Sequence, residues 1–146
     1  MLLFSFQPYQ MTSYFVETPS DAVSLFRAAL PKEQKEERVF VLPLDAHGKV
    51  LAKPILVSVG HEDGTAAIDA GAIFREAFKA GAEEIIVAHN HPSGDPTPSK
   101  ADVETTKKLK AGAGIVGLVF LDHLIVGSPD SANGLGFVSM AEFTAA

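Results

Sequence analysis

Residues 84 to 102 constrain the fold more than any other stretch, because three local signals follow one another there in a fixed order. Glu84-Ile-Ile-Val-Ala88 is short, apolar and rich in β-branched residues, the pattern of a buried strand. His89 and His91 come next, and residues two apart on an extended chain point to the same side. Pro92 biases His91 toward that extended conformation. Residues 92–98 are rich in Pro, Gly and Asp and turn the chain. Ser99, with Asp102 three positions on, then marks a helix start. Strand end, rigid turn and helix start bring two imidazoles and a carboxylate toward one point, with one coordination position open, as in a catalytic zinc site. Singly, each piece has a plain structural reading: a capping box, a proline turn, a weak His-x-His pair. Their convergence favours a metal.

The 146 residues suit one domain with a sizeable core, and 47% hydrophobic with 21% charged residues is ordinary for a soluble globular chain. A formal net charge of −6 argues against strong non-specific binding to nucleic acid. There is no cysteine. That excludes disulfides, thiolate metal sites and a cysteine nucleophile, and it fits a reducing, cytoplasmic setting. No apolar run is long enough to span a membrane. Met1 to Phe6 lacks the basic flank of a signal peptide and reads as a frayed or docked segment, with either Met1 or Met11 as the natural start.

Along the chain, Thr18-Pro-Ser-Asp21 starts a first helix, whose Ala22, Leu25, Phe26, Ala29 and Leu30 recur at helical spacing. A charged connector, Lys32 to Arg38, leads into the strand Val39 to Leu44. The turn Asp45 to Gly48 then gives a hairpin with a second strand, Val50 through Val59. Pro43 and Pro54 suit bulges or unpaired edge positions. His47 reads as a surface residue, and residues 60–64 as a loop containing His61. Asp69 caps a helix to about Lys79, with Gly81 as its stop. The helix from Ser99 is expected to pair Glu104 with Lys108 and to end near Gly112 or Gly114. Ile115 to Leu121 reads as a strand that His123 to Val126 continues or pairs with, and Leu135 to Met140 as a last strand. The expected class is α/β: a single-domain mixed β-sheet flanked by about three helices.

No P-loop, G-x-S-x-G elbow or zinc-deaminase signature is present, and the adjacent letters His89-Asn90-His91 do not make the scattered nuclease motif they spell. His89-x-His91-x7-Ser99-x2-Asp102 does resemble the JAMM motif of the MPN (JAB) metalloprotease superfamily. The longer string, with Leu121-Asp-His-Leu-Ile-Val-Gly127 and Glu37-Arg-Val-Phe-Val-Leu-Pro-Leu-Asp45, resembles the RadC family within it, over residues 18 to 140. The resemblance implies an MPN/JAB-like, cytidine-deaminase-like architecture in residues 18–146, after an extension of residues 1–17. It implies Zn2+ held by His89, His91 and Asp102 with water in the fourth position. Glu37, or by a shift of one Glu36, would be the general base, and Ser99 would stabilise the oxyanion. The implied reaction is hydrolysis of an amide or isopeptide bond in a peptide or protein substrate. His123 is either a second-layer partner of the metal or a satisfied structural histidine.

Many RadC proteins carry an N-terminal helix-hairpin-helix segment associated with DNA binding. There is no room for one before residue 18, so a catalytic domain alone or a short form is expected. The competing reading is a scaffold in DNA repair or recombination with a structural metal, which the acidic sequence does not support. Two histidines and a carboxylate also suit non-haem iron. Strand edges in a small mixed sheet make a homodimer conceivable.

Overall fold

The computed structural model describes residues 14–60 and 68–145, so Met1 to Phe6, Met11 and His61 lie outside it. Its centre is a five-stranded mixed sheet in the order β2-β1-β3-β4-β5. The strands are β1 (Arg38–Leu44), β2 (Ile55–Val59), β3 (Glu84–Asn90), β4 (Val119–Val126) and β5 (Phe137–Ser139). β3 and β4 are parallel, and the other neighbours are antiparallel. Among the described residues there are four helices: α1 (Pro19–Ala29), α2 (Ala70–Lys79), α3 (Lys100–Val116) and α4 (Met140–Ala145). α3 is the crossover between the parallel pair, as parallel neighbours require.

The central strands β1 and β3 are buried along nearly their whole length, and alternate side chains serve two separate cores. Phe40, Leu42, Leu44, Ile86 and Ala88 pack with Ala22, Val23 and Phe26 of α1. Val39, Val41, Ile85 and Val87 pack on the other face with Ile73 and Ala77 of α2 and Leu109 and Ala113 of α3. α1 thus covers one face, and α2 with α3 the other. His89 continues the Ile85, Val87 series and faces the α3 side.

Two one-residue register shifts modify this scheme. One falls between β1 and β2 at Val39/Phe40. The other is in β4. Ile85 pairs with Phe120, but Ile86 pairs with Asp122, so Leu121 is an extra residue. Such a bulge turns every later side chain to the opposite face. Phe120 therefore packs on the α2/α3 side, while Leu124 and Val126 pack on the α1 side.

The local starts are where the sequence puts them. Asp21 accepts from the N–H groups of Glu17 and Thr18 at the head of α1, and Asp69 accepts from Ala72 at the head of α2. Pro43 lies beyond the last β1–β2 pair, and Pro54 directly precedes β2. Several ends differ. α3 runs through Gly112 and Gly114 to Val116, and Gly117, with φ +87°, closes it. Gly112 is not a stop: a Cβ there would lie 2.9 Å from the Phe74 ring, so the glycine lets α3 approach α2. Ile115 and Val116 are consequently helical, and the strand starts at Val119. Lys107, Lys108 and Lys110 sit mid-helix, and Glu104 pairs with Lys107 rather than Lys108. Residues 50–54 are not strand, apart from the single bridge of Val50 to Leu44.

The last expected strand shortens to three residues, and Met140 opens the unexpected fourth helix. Asp122 holds that helix start: its carboxylate accepts from the Ser139 hydroxyl and from the Ala141 N–H at 2.9 Å. No described helix is long and apolar enough to cross a membrane.

Candidate metal centre

β3 delivers the histidines. His89 is buried near the end of the strand, and His91 lies one residue past it. The parallel pairing continues just far enough to hold His91, whose N–H donates to the Val126 carbonyl at 2.9 Å. Asn90, between them, faces the opposite side. Its Oδ1 accepts from the Arg38 N–H at 2.7 Å, and its Nδ2 donates to Gln34 Oε1 and the Glu36 carbonyl. Asn90 therefore ties the connector before β1 to the strand that carries the histidines.

The carboxylate comes from the first turn of α3. Ser99 caps that helix: its Oγ accepts from the Asp102 N–H at 3.1 Å, and its own N–H donates to Asp102 Oδ2 at 2.8 Å. This capping box fixes the carboxylate. Asp102 Oδ1 then lies 3.3 Å from His89 Nε2, and Asp102 Oδ2 lies 3.3 Å from His91 Nε2. One ligand atom from each of the three residues falls within 4.8 Å of the others.

The proton positions around this cluster follow from its partners. The Thr106 hydroxyl donates to the Asp102 carbonyl at 2.8 Å, so it is an acceptor for His123 Nδ1 at 2.7 Å. His123 Nδ1 then carries the proton, and its Nε2 accepts from His89 Nδ1 at 2.8 Å. That leaves His89 Nε2 a bare lone pair. His91 Nδ1 donates to the Asp95 carbonyl at 2.9 Å, which leaves His91 Nε2 bare as well. With both imidazoles neutral, two lone pairs and a carboxylate thus converge with no hydrogen among them; without a metal, protons on the imidazoles take that place and bind the carboxylate. Such an arrangement calls for a cation, and the donor set fits a metal ion.

The electrostatics agree. Burial by itself would raise the Asp102 carboxyl, but hydrogen bonds from His89, His91 and the Ser99 N–H hold it far below the ordinary carboxylate range. Burial would lower His91, yet Asp102, the Asp95 carbonyl and Glu37 together raise it, as a proton takes the place open to a metal. His123 is fully buried, and burial, followed by repulsion from His89, lowers it to about 3. It is a neutral partner behind His89, which resolves its two sequence readings in favour of a residue that touches a candidate ligand.

Glu37 is half-buried immediately before β1. The last pair of the β1–β3 ladder is Val39 with His89, two residues short of both Glu37 and His91, and the Glu37 charge reaches the cluster, where it helps to raise His91. Glu36 is exposed and pairs with Arg38 at 3.7 Å, so Glu37 is the glutamate on the side of the cluster. Ser99 is exposed at the helix start, and among the described residues its hydroxyl proton has no acceptor. His47 is exposed in its turn, as expected. Thr106 and Asn90 were not singled out from the sequence. Their only signals are positions: Thr106 follows Asp102 by one helical turn, and Asn90 is a polar residue inside a buried strand.

A family model described as the RadC-like JAB domain matches residues 16–144. A UPF0758 protein of Carboxydothermus hydrogenoformans is 42% identical over 109 residues, covering 75% of this chain and 47% of the relative. One from Trichormus variabilis is 41% identical over 128 residues, covering 86% and 49%. One from Methanosarcina mazei is 35% identical over 119 residues, covering 77% and 51%. The chain spans about half the length of the curated relatives it matches. With a mixed sheet, a crossover helix and the His, His, Asp cluster at their junction, the chain belongs to the RadC-like JAB domain family, part of the JAMM/MPN superfamily.

Proposed function

We propose that the domain is a zinc-dependent metallopeptidase or isopeptidase that hydrolyses an amide bond in a peptide or protein substrate. The observation that carries this reading is the convergence of His89, His91 and Asp102 with lone pairs inward. Zinc is supported by the donor types, two imidazole nitrogens and a carboxylate oxygen within 4.8 Å of one another, which match the three-ligand set of a catalytic zinc site. Bound there, zinc would lower the pKa of a water and polarise the scissile carbonyl.

The chain's own residues do the rest. Glu37, whose charge reaches His91, takes the proton of the attacking water and delivers it to the leaving amine. The Ser99 hydroxyl donates a hydrogen bond to the developing oxyanion, while its oxygen keeps the Asp102 N–H. His123 holds His89 in the tautomer that presents Nε2. Nothing in this requires nucleic acid.

Glu37→Gln tests the reading. The variant keeps its metal by elemental analysis and loses peptide or isopeptide hydrolysis by roughly 10²–10⁴-fold. Full activity in that variant would overturn the mechanism. Tight, salt-sensitive binding of duplex DNA by a protein that hydrolyses no peptide would replace it with the scaffold reading.

A further inference from the structure

His91 borders a second feature, a pocket of about 310 Å³ on the side of the loops rather than of α3. Arg27 and Lys32 line it with Gln34 and Ser128, and no carboxylate of the described residues lines it, although the chain's formal net charge is −6. Arg27 reaches it from α1. Its guanidinium donates to the Gly127 and Gly136 carbonyls, both at 2.9 Å. Those two acceptors fix its position and are uncharged, so its full positive charge stands in the wall.

The glycines make the pocket a built structure. A Cβ on Gly136 would lie 2.5 Å from Arg27 Nη2, and one on Gly127 would lie 2.4 Å from the Gly94 carbonyl. The loop after His91 and the loop after β4 are therefore packed backbone to backbone, with Ser128 N–H donating to the Gly94 carbonyl at 2.7 Å. A fixed guanidinium and a lysine, with no acidic neighbour in the lining among the described residues, form an anion site, since a carboxylate would regain there what burial takes from the cation.

We propose that this pocket binds a carboxylate of the substrate next to the scissile bond, so that the domain acts on peptides bearing a free carboxylate close to the bond cleaved. The proposal rests on the hydrolase reading of the adjoining centre for its substrate, but the pocket's anion preference can be measured without turnover. The carboxylate comes either from the peptide's C-terminus or from an acidic side chain. The same chemistry serves both.

The test uses the metal-free chain of residues 1–146, which removes the metal as a competing anion ligand. N-acetylglycine and N-acetylglycinamide are titrated while the backbone amide resonances are followed. The expected result is that the acid shifts Gly94, Gly127 and Ser128 and binds about tenfold tighter than the amide. Lys32→Gln should weaken the acid severalfold and leave the amide alone, and added salt should do the same. Lys32 is exposed, so this variant keeps the fold, whereas an Arg27 variant would also lose the hydrogen bonds to Gly127 and Gly136.

Equal binding of acid and amide, shifts that map elsewhere, or no effect of Lys32→Gln overturns the proposal. So does displacement of the acid by inorganic phosphate or a short oligonucleotide at lower concentration, which would make the pocket a phosphate site. Peptides with a free C-terminus and neutral side chains, set beside amidated peptides with one Asp or Glu, identify the source; binding by either supports the proposal. A failed Glu37→Gln test would leave this carboxylate preference standing, and a failed titration would leave the hydrolase reading standing.

Discussion

Two helix starts in this molecule are built from the same local chemistry. At α1, Thr18 precedes Asp21 by three residues. At α3, Ser99 precedes Asp102 by three. In both, the aspartate accepts from the N–H of the capping residue, at 2.9 Å and 2.8 Å. The Glu17 and Thr18 N–H groups, helped by the Thr18 side chain, lower the Asp21 carboxyl against the effect of burial. Asp102 is driven much lower because two imidazoles also face it. The helix start is therefore not what makes a site. What differs is the end of β3, which arrives at one box and not at the other.

Four changes would break or sharpen that comparison. The largest effect is expected for Asp102→Asn, which should take bound metal from about one per chain to none by elemental analysis. Asp21→Asn should leave the metal in place.

His123→Phe comes next. It removes the acceptor behind His89 while keeping an aromatic ring in the buried space. Metal affinity should fall about 10–100-fold, and imidazole ¹⁵N shifts should report loss of the fixed His89 tautomer. Unchanged shifts would show that Thr106 and His123 do not set the tautomer.

Acid sharpens the contrast further in the metal-free protein. His123 is held neutral in the fold, with its pKa lowered from 6.5 to about 3. Below pH 6.5 the unfolded chain thus binds more protons than the folded one, so stability is full above 6.5 and falls as pH drops toward 3. His91, with its pKa raised, works the other way: its contribution is present below 6.5 and is lost as pH rises through its folded value. The His123 shift is the large one and sets the sign. Asp102 and Asp21, both lowered, contribute above their ordinary 3.8 and lose that only at lower pH. Denaturant midpoints should decline from pH 6.5 downward in wild type, and His123→Phe should remove most of the decline above pH 4. A flat wild-type profile from pH 7 to 4 would contradict the neutral assignment.

The smallest effect is expected for Asp21→Asn itself. It should cost no more than about 1 kcal/mol in denaturant titration, the usual worth of a helix-start interaction.

How much of this was legible in the chain follows the same division. The helix starts at Thr18, Asp69 and Ser99, the buried strand at 84 and the cluster of His89, His91 and Asp102 depend on neighbours within a few residues, and all could be read. Gly112 could not, because its reason is the Phe74 ring on another helix. α4 was missed because its start is held by Asp122, from a strand well before it in sequence. Thr106 and His123 act as a pair only through tertiary burial, so spacing alone left His123 undecided.

The bulge at Leu121 carries a consequence for tolerance to insertions and deletions. Asp122 and His123 are consecutive, yet one secures α4 and the other backs His89. The faces of both are set by their partners on β3: Ile86 opposes Asp122 and Val87 opposes His123, while Leu121 is looped out between two successive pairs. Removing Leu121 would leave Phe120 and Asp122 as consecutive partners of Ile85 and Ile86 in a regular ladder, with the carboxylate still at the start of α4 and the imidazole still behind His89. Leu121 is exposed, so its substitution and its loss should both leave the metal centre in place. Loss of a residue between Asp122 and Val126 has no such slack to absorb it, and there a single deletion would turn the side chains on one side of it to the wrong face.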